Sequence, residues 1–163
     1  MNNLLLPVLR QQFGPGTIAP TEGLVEELAV YLDIHAKIDA IFVTEAGIAY
    51  GLYFRMTNGT WDNLTISNNH YHDLVVRWNM QPALMPAVLV QGYVILDSSG
   101  RRVLRRVIAV KSSQFLPWSF DHPGRTISHR SGSGIFLSLP FDELFAAGIS
   151  EFLIPVPSLQ SSI

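Results

Sequence analysis

Cysteine is absent from the chain, which removes disulfides, thiol nucleophiles and cysteine-based zinc or iron–sulfur sites from consideration. Charge is scarce: Asp, Glu, Lys and Arg make up 15% of the residues, against about 25% in ordinary soluble domains. The surface is therefore unusually neutral, and the mean hydropathy of +0.25 implies apolar area outside a monomer's core, the kind of area that marks an interface. A homo-oligomer or a protein partner is expected. Long hydrophobic runs are also missing. The most apolar stretch, from Ala83 to Leu96, is broken by Pro86, Gln91 and Gly92, so no membrane-spanning helix is expected. The opening residues before Pro7 carry neither a basic leader nor an extended apolar region, and a cytoplasmic location follows as the expectation.

A length of 163 residues suits one domain with a sizeable core, residues 1–163, with 157–163 as a loose tail. Thr21 precedes three glutamates, and Leu24, Val25, Leu28, Ala29 and Leu32 recur at helical spacing, which predicts a helix from Thr21 to His35. Residues 38–45 and 48–57 read as strands. Asn58-Gly59 then signals a two-residue hairpin into 60–67, giving three consecutive antiparallel strands. In the second of these Tyr50, Leu52, Phe54 and Met56 share one face, assigned to the core, and Gly51, Tyr53, Arg55 and Thr57 the other.

Asn68 and Asn69 can cap a helix in which Tyr71, Leu74, Val75 and Trp78 form a stripe and Asp73 reaches Arg77; a strand over 74–78 competes. Residues 87–96 and 101–111 flank the turn Asp97 to Gly100 as a second hairpin. Periodicity dissolves over 112–133, which reads as a long loop. A strand over 135–139, a short helix over 140–147 closed by Gly148, and a last strand over 149–156 complete the pattern. The expected fold is α+β: an antiparallel or mixed sheet of about six or seven strands with one longer N-terminal helix and two short ones.

Charge is distributed unevenly. Residues 98–135 hold seven cations against the single acid Asp121, whereas the rest of the chain is acidic and the net charge is −2. Arg101, Arg102, Arg105, Arg106, Arg125 and Arg130 are thus candidate contacts for an acidic partner or a small anionic ligand. On a regular strand the first four would split between faces, and a bulge or a helix in place of the strand would bring them together. The alternative is that they pair with acids of the first part of the chain or of another subunit. A sequence pI of 6.2 argues against nucleic acid as the partner.

For catalysis, His122 and His129 are the candidate general bases, with Arg125 or Arg130 holding an anionic substrate. His70 and His72 could bind a metal together only on a strand, since a helix separates alternate residues by about 200°. Residues 131–134, Ser-Gly-Ser-Gly, complete no nucleophile elbow, phosphate loop or dinucleotide fingerprint, and no cofactor is expected. The leading expectation is a non-enzymatic, oligomeric binding or assembly module. The alternative is a small hydrolase or lyase using the loop histidines and arginines, with or without a metal.

Overall fold

The computed structural model describes residues 2–21, 38–82, 85–122, 124–128 and 135–155. The fold is α+β, in three layers. Its elements run α1 (Asn2–Phe13), β1 (Gly16–Pro20), β2 (Ala40–Thr44), β3 (Ala49–Asn58), β4 (Asn63–Ser67), α2 (Asn68–Met80), β5 (Val88–Leu96), β6 (Arg102–Lys111), α3 (Ser112–Asp121), β7 (Arg125–Ser128), β8 (Ile135–Pro140), α4 (Phe141–Ala146) and β9 (Ser150–Pro155). The central layer is a six-stranded mixed sheet in the order β1-β2-β3-β5-β6-β9, and β4-β8-β7 form a second, three-stranded antiparallel sheet. No helix among the described residues is long and apolar enough to cross a membrane. The helix expected from Thr21 to His35 lies outside the described residues beyond its first residue, as does the tail at 157–163.

Alternation along β5 and β6 explains why both faces of the central sheet are covered. Val88 and Val90 of β5 and Val107 and Ala109 of β6 are buried with Leu5, Val8 and Leu9 of α1 on one face. Leu89 and Tyr93 with Ile108 and Val110 are buried on the other, against Leu64 and Ile66 of β4, Leu74 of α2, Phe115 and Leu116 of α3, Leu137 and Leu139 of β8, and Phe141 and Leu144 of α4. A strand covered on both faces reads as a continuous apolar run rather than an alternating one.

The three-strand meander expected over 38–67 is corrected. β2 and β3 pair antiparallel as anticipated, but β3 then pairs in parallel with β5, and β4 leaves for the second sheet, where it pairs with β8. Asn58-Gly59 does not close a two-residue hairpin; residues 59–62 form a strap that carries the chain between the sheets. The segment 112–133, expected as a loop, contains α3 and β7. Pro117 hid the helix, which is held by the complete burial of Phe115 and Leu116 and by the Ser119 hydroxyl donating to the Leu116 carbonyl at 2.7 Å. Pro7 concealed α1 in the same way. In β7's approach, Gly124 sits at φ +63° with the space for a Cβ only 2.7 Å from Leu139, so the strand lies against β8 only because no side chain intervenes.

Other expectations match the structure. α2 carries the stripe of Tyr71, Leu74, Val75 and Trp78 into the core, and Arg77 pairs with Asp73 at 3.0 Å. Its cap is Ser67, whose hydroxyl accepts from the His70 amide, rather than an asparagine. β5 and β6 form the second hairpin, and Asp97 organises its turn by accepting from the Ser99 hydroxyl and the Ser99 and Arg101 amides. These bonds, the Ser99 hydroxyl first, hold the Asp97 carboxyl down at about 2.

Candidate functional site

The basic stretch of β6 resolves into structural pairs. The ladder between β5 and β6 shifts register after Tyr93: Tyr93 faces Arg106 and Val94 faces Leu104, leaving Arg105 as an extra residue. This bulge turns consecutive arginines to one face of the sheet. Both reach the strap. Arg105 Nη1 lies 2.9 Å from Asp62 Oδ1 and also donates to the Thr60 carbonyl at 2.7 Å; Arg106 Nη1 lies 2.7 Å from Asp62 Oδ2, with Nη2 3.3 Å from Asp142. Arg101, 81% exposed, pairs with Asp97 within its own turn. Arg102 is exposed, Arg125 lies on β7 opposite Ser138, and Arg130 lies outside the described residues. The arginines expected to contact an anion are thus, at 105 and 106, given to acids of the strap and of α4.

Among the described residues the histidines do not converge. Because 68–80 is helical, His70 and His72 point to different sides: His70 stacks on Tyr53 with ring centroids 4.2 Å apart, and His72 is exposed. His122 lies at the end of α3, stacked on Trp118 at 4.3 Å with Nδ1 2.9 Å from the Trp118 carbonyl. His129 lies outside the described residues. No cluster of three acids or imidazoles that could hold a metal occurs among the described residues.

A cleft of about 240 Å³ opens instead where the two sheets part, lined by Arg55, Thr57 and Asn58 of β3, Trp61 of the strap, Thr65 of β4, Tyr93 of β5 and Phe136 of β8. Its construction follows from β4 having left the central sheet. The carbonyls of Asn63 and Thr65, alternate residues of β4, accept from the Tyr93 hydroxyl at 2.7 Å and from Arg55 Nη1 at 3.4 Å. Burial raises the Tyr93 phenol above its ordinary value, so it stays a neutral donor. Behind them Gln91, fully buried in β5, accepts from the Thr65 hydroxyl at 3.3 Å and donates to the Thr57 hydroxyl at 3.2 Å. A buried amide bonded at both ends fixes the rotamers of both threonines.

Arg55 is the charged group of the cleft. Its guanidinium is half-buried, lies 4.7 Å from the centroid of the Phe136 ring, and makes one long hydrogen bond to a carbonyl. Among the described residues no carboxylate comes within ion-pair distance of it, in contrast to Arg77, Arg101, Arg105 and Arg106. Trp61, 61% exposed, stands at the rim. None of these seven residues is a candidate site residue on sequence grounds. The available signal was the alternation Tyr53, Arg55, Thr57 opposite an apolar face, together with Gln91 in an otherwise apolar strand. Comparison with known protein families, with curated proteins and with solved structures finds no match to this chain.

Proposed function

We propose that the protein is a non-enzymatic binding module that takes a small anionic ligand in the cleft between its two sheets. The observation that supports this is Arg55: a half-buried guanidinium without a carboxylate partner among the described residues, set in a cleft with hydroxyls and an amide. A planar cation backed by an aromatic ring presents paired N–H donors that match a carboxylate or a phosphate. The reading keeps the anionic ligand expected from the sequence and moves its seat from the Arg101 to Arg130 segment to Arg55. The hydrolase or lyase alternative draws no support from His122, whose Nδ1 is turned back on its own helix.

Thermal unfolding against a panel of small carboxylates and phosphates, each beside its neutral analogue, tests this. A ligand present at a hundred times its Kd adds about 2.7 kcal/mol to folding, worth about 5–10 °C in Tm for a chain of this size. The anionic members should raise Tm and Arg55→Gln should abolish the effect; an equal rise in the variant removes the proposal.

Self-association belongs to the same reading. Val76 and Met80, one turn apart on α2, are 40% and 75% exposed and extend an apolar strip along the helix. Light scattering coupled to size exclusion should give a mass above that of one chain. A monodisperse monomer at high micromolar concentration refutes this part while leaving the cleft untouched.

A further inference from the structure

Resting on the cleft's role as an anion site, we infer that its ligand is an acidic monosaccharide unit, a sugar ring bearing a carboxylate or a phosphate. The volume of about 240 Å³ lies below the roughly 300–1,000 Å³ of sites for drug-sized ligands, which suits one ring and its substituents. The hydrogen-bonding polarity of the walls then selects the ring. Gln91 fixes the two threonines with opposite senses: Thr65, buried and also bonded to the Tyr93 side chain, donates to the Gln91 carbonyl oxygen, while Thr57 accepts from the Gln91 amide and keeps its proton. The cleft therefore holds one oriented donor at Thr57, and Asn58 adds an amide that both donates and accepts.

Such a lining matches a polyhydroxylated ring, whose every substituent both donates and accepts. An apolar aromatic acid would cover the same groups and leave them unbonded, at about 1–3 kcal/mol for each buried one. The exposed indole of Trp61 at the rim supplies a flat apolar surface for the C–H face of the ring, and Arg55 on its Phe136 backing takes the charge. Neutral sugars would lack that last contact and leave the guanidinium without a carboxylate, which it also lacks among the described residues of the free protein.

The test is nuclear magnetic resonance titration of the full chain with glucuronate, glucose 6-phosphate, glucose, benzoate and inorganic phosphate. It follows the backbone amides of residues 55–65 and the indole N–H of Trp61, the latter assigned with Trp61→Phe. Glucuronate or glucose 6-phosphate should bind at least about ten-fold more tightly than glucose, benzoate and phosphate, a ratio equivalent to 1.4 kcal/mol. Which of the two binds distinguishes a sugar acid from a sugar phosphate. Arg55→Gln should abolish binding. Asn58→Ala, at an exposed position, should weaken the sugar ligands about ten-fold.

If benzoate or phosphate binds as tightly as the acidic sugars and still depends on Arg55, the sugar inference fails and the anion site stands. If glucose equals glucuronate, or if nothing binds in an Arg55-dependent way, the inference and the anion reading fall together.

Discussion

Replacing Phe141 with alanine is expected to lower stability by about 3–5 kcal/mol, the usual range for deleting a buried ring, and Tm by about 6–20 °C. Phe141 opens α4 immediately after β8 and is completely buried. Its ring lies 5.8 Å from that of Tyr93, and its amide donates to the Asp62 carbonyl at 2.8 Å, so it touches the central sheet, the second sheet and the strap at once. The Arg106 guanidinium stands 5.9 Å from its centroid. The cavity left by the ring would border strands from two sheets, neither of which can collapse without moving the other. Phe141→Leu keeps most of the volume and should cost less than about 1.5 kcal/mol. Urea unfolding of the three proteins measures the difference; an alanine variant within 1 kcal/mol of the leucine variant would show that the joint between the sheets does not depend on this ring.

Asp62→Asn should cost about 1–3 kcal/mol, below the 3–5 of a fully buried pair because the partners are partly solvated. Arg105 and Arg106 are 30% and 20% exposed in their side chains, and one carboxylate serves both, one oxygen each. Removing the charge leaves two adjacent guanidinium groups on one face of the sheet, repelling each other, with Asp142 still holding only Arg106. It also releases the strap, whose Trp61 stands at the cleft rim, so the loss should extend to ligand affinity. The contrast is Arg102→Ala on the same strand, exposed and outside these pairs, which should stay within about 0.5 kcal/mol of the parent. Chemical unfolding, repeated with Asp62→Asn combined with Arg105→Ala, separates the contributions. If the Asp62 and Arg102 variants are equally mild, the pairs are ornaments of the surface.

Legibility of this fold in the sequence varies with how locally each element is specified. The hairpin of β5 and β6 was readable because Asp97 to Gly100 form a self-contained turn, and α2 because its stripe and the Asp73 to Arg77 pair agree. α1 and α3 each contain a proline and no acidic residue in the first turn; they exist because Leu5 and Leu9, or Phe115 and Leu116, are buried by strands far away in sequence. The strap escapes a local reading for a related reason: Asn58-Gly59 satisfies the rule for a tight hairpin, but β4 pairs with β8, where Leu64 and Ile66 are buried.

The cleft was the least legible part, since its residues come from four strands and a connection. Arg55 was assigned to the face opposite the core, and the sequence carries no indication that a second sheet covers that face. The clustered arginines drew attention by their number. Their density reflects the bulge, a backbone irregularity that makes neighbours of residues a regular ladder would separate.

That bulge bears on which changes in chain length the protein can absorb. Leu104 packs with Val107 and Ala109 on one side of the sheet, while Arg106 shares the other with Ile108 and Val110; the inward and outward phases before and after Arg105 are already offset by one. Deleting Arg105 alone would join Leu104 to Arg106 in correct alternation and regularise the ladder, at the cost of its ion pair with Asp62 and its hydrogen bond to the Thr60 carbonyl. Deleting Val107 or Ala109, two and four positions further on, would turn every following core side chain of β6 to the wrong face. Length variation in this strand is therefore absorbed at the bulge of Arg105 and Arg106, where the fold has stored a spare residue.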